Sequence, residues 1–112
     1  MKEIRIYPAE GTWVVRAEGA VIGESREALE VIEGDAPFVI YFPRGDIAMA
    51  FLEPSDQGSH CPQRGAATHF HITSPGGQMD NAAYSYQSPP EAMAQIAGHI
   101  AFDAGQVTVE RV

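Results

Sequence analysis

Residues 59–72, SHCPQRGAATHFHI, concentrate the chain's reactive side chains. They hold its only cysteine, three of its four histidines and an arginine. Two kinds of chemistry suit such a stretch. In the first, Cys61 is a nucleophile. A thiol becomes one when a base or cation lowers its pKa, and His60 adjoins it while Arg64 follows three residues on. The turn Pro62 to Gly65 would bring Arg64 back towards the sulfur. Against this stands a plainer role, in which Cys61 is a small apolar side chain anchoring a loop. In that role burial would raise its pKa and leave the thiol inert, and this packed anchor is the expectation.

In the second, His69 and His71 bind a metal. On a strand they point to one face, roughly 7 Å apart. Cys61 or His60 would add a third ligand. A structural zinc site needs four, and no fourth is evident. The two histidines are therefore weak metal candidates, and neither a metal nor an organic cofactor is expected.

Other polar residues sit where turns would place them. Asp46 ends the turn Pro43-Arg44-Gly45-Asp46 and is the second catalytic candidate beside Cys61, or a simple turn cap. Tyr84 and Tyr86 alternate, so they share a sheet face as core or as pocket wall. Gly76-Gly77 is a turn signal, and no phosphate-binding loop, dinucleotide fingerprint or serine elbow accompanies it.

Short strands must position these groups. Eleven glycines and eight prolines punctuate the chain, a rhythm that predicts a mainly β domain. Ile4 to Tyr7 alternates and stops at Pro8. Thr12 to Ala17 and Val21-Ile22 read as a hairpin about Gly19. Ser25 would cap a short helical turn over REALEVIE, closed by Gly34, although the same residues fit a strand. Phe38 to Phe42 is the strongest strand signal, and Ile47 to Leu52 reads as the next strand. The polar run 53–65 reads as a loop of about a dozen residues, a length often functional. Strands follow over 66–73 and 81–86. Pro89-Pro90 opens an alanine-rich helical turn, and closing strands at 100–102 and 107–109 flank a turn at 103–106. Eight or so short strands imply a small barrel or sandwich.

The bulk properties narrow the function. At 112 residues the chain is sized for one domain, 1–112. Its net charge is −8 and its arginines are scattered, so nucleic acid is excluded as a partner for want of a cationic stripe. No apolar run approaches a membrane span, and the N-terminus lacks the apolar centre of a secretory signal. A single cysteine suits a reducing compartment. The expectation is a cytoplasmic protein.

Four separated blocks, YFPRGDI (41–47), LEPSDQGSHCPQRGAA (52–67), NAAYSY (81–86) and IAGHIAF (96–102), resemble the family called domain of unknown function 427. RAEGAVIGESREAL (16–29) matches more loosely. The resemblance covers most of the chain and implies a compact, mainly β domain, without an activity. A nucleotidyltransferase label sometimes attached to the family finds no support, because the Gly-Ser pair and Asp-x-Asp metal pair are absent. The family pattern carries over at Tyr41, Phe42, Pro43, Asp46, Cys61, Pro62 and Gly65. It departs at Arg64, where a lysine is typical, and at Tyr84, where a tryptophan is typical. The pair His69 and His71 is not its signature. Arginine keeps the cation but does not titrate, which argues against proton transfer or Schiff-base chemistry at this position.

Together these readings predict a small-molecule-binding domain, with an enzymatic role open. Its pocket would be built by the 43–46 turn, the 55–65 loop and the 84–86 strand. Arg44 and Arg64 would hold an anionic group, Asp46 would orient it or accept a proton, and Tyr41, Tyr84 and Tyr86 would wall the site. The alternative is a non-catalytic module for protein interaction or self-association, with a homo-oligomer compatible with either.

Overall fold

The structure is a computed structural model that describes residues 2–112. Ten strands run through it: β1 (Ile4–Pro8), β2 (Trp13–Ala17), β3 (Ala20–Ser25), β4 (Leu29–Glu33), β5 (Val39–Tyr41), β6 (Leu52–Cys61), β7 (Gly65–Ser74), β8 (Gly77–Ser85), β9 (Ala101–Phe102) and β10 (Thr108–Arg111). Short 3₁₀ turns cover Arg44–Asp46, Met49–Phe51 and Glu91–Ile96. Strand exceeds helix, 56% against 11%, so the mainly β reading holds. No helix among the described residues is long and apolar enough to cross a membrane.

Three antiparallel sheets form, ordered β1-β4-β5, β10-β2-β3 and β6-β7-β8-β9. No barrel closes among the described residues, and of the two expected architectures the sandwich fits. Reciprocal backbone bonds between Phe42 and Ile100, 2.8 Å each way, stitch β5 to the four-stranded sheet. The main core fills the space between this joined layer and β10-β2-β3. It takes Val15 and Ile22 from one side and Ile40, Phe42, Phe70, Ile72 and Phe102 from the other.

Side chains alternate along a strand, so the joined layer has a second face. Tyr41 and Ala101 point there, away from Phe42 and Phe102, and meet Val31, Met93 and Ile96 in a smaller apolar cluster. The segment Glu91–Ile96 covers that cluster. It is helical, as its alanine-rich composition predicts, but only as 3₁₀ turns broken at Met93 (φ −112°, ψ 16°).

Several elements differ from the sequence expectation. The polar run 53–65 is not a loop: Leu52–Cys61 is a ten-residue strand paired with β7. It lies at a sheet edge, so its charged and polar side chains face water, and a register shift between Pro54 and Gly58 absorbs the residues that pair badly. Ile47–Leu52 is not a regular strand. Ile47 makes one bridge to Gly23, and Met49–Phe51 coils into a 3₁₀ turn. Gly23 is required there, because a Cβ would run into the Ile47 side chain and the Asp46 carbonyl. The REALEVIE segment takes its strand alternative, with β4 held between β1 and β5 and Val31 buried. The two closing strands are not partners of each other: β9 pairs with β8 and β10 with β2.

Candidate thiol site

The hairpin between β6 and β7 turns through Pro62-Gln63-Arg64, and Cys61 pairs with Gly65 across it. Gly65 adopts φ +89°, a left-handed conformation that glycine supplies without steric cost. This tight return folds Arg64 over the sulfur of Cys61, and Nη1 donates to Sγ at 3.1 Å. Nη2 of the same guanidinium donates to Glu33 Oε1 at 3.3 Å, at the end of β4. The guanidinium carbon stands 5.9 Å from the centre of the Tyr86 ring. The Arg64 side chain is only 12% exposed, so this charge is held in place and only weakly screened. Gln63 Nε2 donates to the Lys2 carbonyl at 2.8 Å, tying the turn to the start of β1.

Three tyrosines wall the site. Tyr41, 2% exposed, meets Tyr84 edge to face at 6.3 Å between ring centres, and Tyr84 meets Tyr86 likewise at 6.0 Å. His69 lies opposite Tyr84 in the β7–β8 register, its ring 6.1 Å away. Its Nε2 is 2.8 Å from Ser59 Oγ. Ser59 and Cys61 are two residues apart on β6 and therefore share a face.

The groups around the sulfur lower its pKa. Burial alone would raise the Cys61 pKa. The backbone N–H groups of Gln63 and Arg64, then the Arg64 guanidinium as donor and as charge, outweigh burial and lower it. Cys61 is a half-exposed free thiol. The sulfur is thus neither fully buried nor raised in pKa, as an anchor in apolar surroundings would be. The cause is the turn, which aims two amides and a guanidinium at the sulfur. Burial raises all three tyrosines and keeps them protonated at neutral pH; Arg64 pulls each in the other direction without prevailing. The buried Tyr41 hydroxyl already donates to Tyr84, so the phenols left as hydrogen-bond donors are those of Tyr84 and Tyr86. Burial disfavours the Arg64 charge, but the Cys61 sulfur and the Glu33 carboxylate beside it favour the cation.

The structure brings Tyr41, Cys61, Arg64, Tyr84 and Tyr86 together. Two other candidates make their contacts elsewhere. Asp46 Oδ2 accepts a 2.6 Å hydrogen bond from Ser25 Oγ, and the Arg44 guanidinium stands 5.9 Å from the centre of Phe70, a main-core ring. Phe70 and His69 are neighbours on β7 and point to opposite faces, which is why the 43–46 turn does not join the tyrosines. His71 Nδ1 accepts the Asn81 backbone N–H at 3.0 Å and lies 3.7 Å from Asp80 Oδ1. Among the described residues no three His, Cys, Asp or Glu side chains converge.

Sequence reasoning missed Glu33 and Ser59. Glu33 reaches Arg64 across a separation of 31 residues, for which local pattern offers no signal. Ser59 lay within the quoted stretch, and its pairing with His69 required β6 to be recognised as a strand.

No curated protein matches the chain. A family model described as a domain of unknown function, DUF427, matches residues 5–112. That match takes in every strand but the first residue of β1, and the chain belongs to this DUF427 family.

Proposed function

We propose that the chain is a small-molecule-binding domain with a reactive thiolate, and that Cys61, Arg64, Tyr41, Tyr84 and Tyr86 form its site. The carrying observation is the 3.1 Å contact from a nearly buried Arg64 guanidinium to a half-exposed Cys61 sulfur. A cation so placed stabilises the thiolate, which is the nucleophilic form of cysteine. In the reaction we envisage, Sγ attacks an electrophilic carbon and the leaving group departs with its bonding pair. Arg64 and the protonated phenols of Tyr84 and Tyr86 stabilise negative charge as it develops on the substrate. The substrate is a small electrophile that carries or acquires negative charge. A lone, accessible thiol also fits a reducing cytoplasm.

The test is alkylation of Cys61 by iodoacetamide, followed by mass spectrometry from pH 5 to 10. The native protein should react with an apparent pKa below that of the urea-unfolded chain. At pH 6 it should react faster than the unfolded chain. A native apparent pKa equal to or above the unfolded one would overturn the proposal.

A further inference from the structure

We infer that the cleft lined by Trp13, Phe38, Val39, Ile40, Phe102 and Val109 is a second binding site, for a small neutral aromatic molecule. The cleft opens between the two layers of the sandwich. Trp13 on β2 and Val109 on β10 form one wall, while Ile40 on β5 and Phe102 on β9 form the other. Ile40 and Phe102 are buried and make the floor; Pro37, Phe38 and Ala104 form an exposed rim. Trp13, Ile40, Phe102 and Val109 belong to the core between the sheets and Val39 packs on the second cluster, but no lining residue is one of the thiol-site residues.

Three features of the cleft select the occupant. The first is size. The volume is about 320 Å³, within the range of small-ligand pockets and room for roughly ten waters' worth of liquid. The second is chemistry. No lining residue is charged, and the one side-chain donor, Trp13 Nε1–H, is already committed to the Glu10 carbonyl at 3.0 Å. An anion or a strongly polar ligand would lose its water and gain no free side-chain partner. Trp13 and Phe38 already meet edge to face, ring centres 5.9 Å apart and planes at 80°, so an entering ring finds both an edge and a face to stack on.

The third is the form of the surface. Phe38 is the only large lining residue that stands exposed, at 48%; Tyr7, Val21 and Val112, the other exposed large hydrophobics, do not line the cleft. A stable protein interface needs about 800 Å² on each partner. One protruding ring around a hole does not supply it. The surface suits a molecule that enters rather than a partner that covers.

Trp13 is the only tryptophan in the chain, so its emission reports occupancy directly. The probe is N-phenyl-1-naphthylamine, which is neutral, apolar and a fluorescence acceptor for tryptophan. Titrating it into the full chain should quench Trp13 saturably at one probe per chain. The anionic analogue 1-anilinonaphthalene-8-sulfonate should bind at least about tenfold more weakly. Ala104→Leu, which extends a rim side chain into the space, should weaken the neutral probe at least about tenfold with the thermal midpoint unchanged. Phe38→Ser should do the same and guards against a folding defect in the first variant. The inference fails if both variants bind the probe as the native chain does. It also fails if quenching does not saturate, if the anionic analogue binds equally well, or if quenching tracks formation of a dimer in sedimentation.

Discussion

At the scale of single residues, the chemistry rests on the fork of Arg64. One planar group donates to Cys61 through Nη1 and to Glu33 through Nη2. Glu33 thereby fixes the angle at which the charge meets the sulfur. A lysine would keep the cation, but it is a point charge on a flexible stem that does not reproduce the planar fork. The family resemblance makes lysine the typical residue here, which gives the comparison particular interest. Arg64→Lys should raise the Cys61 pKa modestly and slow native alkylation at pH 6 a few-fold. Arg64→Met removes the charge and should raise it further, leaving only the amides of Gln63 and Arg64 to oppose burial. The order native, Lys, Met in alkylation rate is the expected outcome. Equal rates in all three would mean that the backbone amides alone set the thiol. Whether Cys61 lay beside a cation was legible from Cys-Pro-Gln-Arg-Gly. That the cation was tied to Glu33 was not, because this contact depends on β4 arriving from 31 residues away.

At the scale of elements, Ser25 carries an argument about where the 43–46 turn belongs. Its hydroxyl accepts the Glu27 N–H at 2.9 Å and donates to Asp46 Oδ2 at 2.6 Å. The first contact is the one a helix N-cap would make, yet no helix follows, because β4 is drawn into a sheet between β1 and β5. The capping chemistry in the sequence was real; the hydrophobic pairing of Leu29 and Val31 with neighbouring strands decided the secondary structure. The second contact docks the Arg44–Asp46 turn on the end of β3. Ser25 is buried, so Ser25→Ala leaves a carboxylate oxygen and an amide without their partner. It should cost about 1–2 kcal/mol in urea unfolding while leaving the alkylation rate of native Cys61 unchanged. An altered thiol rate would show that Asp46 is coupled to the site after all. The strand reading of 53–61 was illegible for a related reason. Glu53, Pro54, Asp56 and Gly58 are poor strand formers, and only the long register with β7 and an outward edge make a strand of them. The strands expected at 12–17 and 66–73 formed nearly as read because pattern and environment agreed, while the one expected at 81–86 begins earlier, at Gly77.

At the scale of the whole molecule, the second cluster makes the fold sensitive to alkali. Tyr41, Tyr84 and Tyr86 sit against Val31, Met93, Ile96 and Ala101, and burial raises each phenol above its ordinary value. In the unfolded chain the same groups ionise near pH 10. Below that pH both states hold their protons and the phenols leave stability unchanged. Above it the unfolded chain releases protons that the native chain retains, so stability falls as pH rises, by up to about 1.4 kcal/mol per pH unit for a fully protected phenol and by less for Tyr86, the least buried. Cys61 has the opposite sign. Its native pKa is lowered, so its contribution is present above the unfolded thiol value and fades as pH falls through the native one. The two effects occupy different windows and separate in one experiment. Urea midpoints measured from pH 7 to 11 should decline steeply beyond pH 10 in the native sequence. Tyr41→Phe removes the most buried of the three hydroxyls and should flatten that decline, while Cys61→Ser should leave it in place. A midpoint that holds steady to pH 11 would mean that the phenols ionise without unfolding the chain. The tyrosine face would then be open to water, and with it the low-dielectric wall on which the Cys61–Arg64 pair depends.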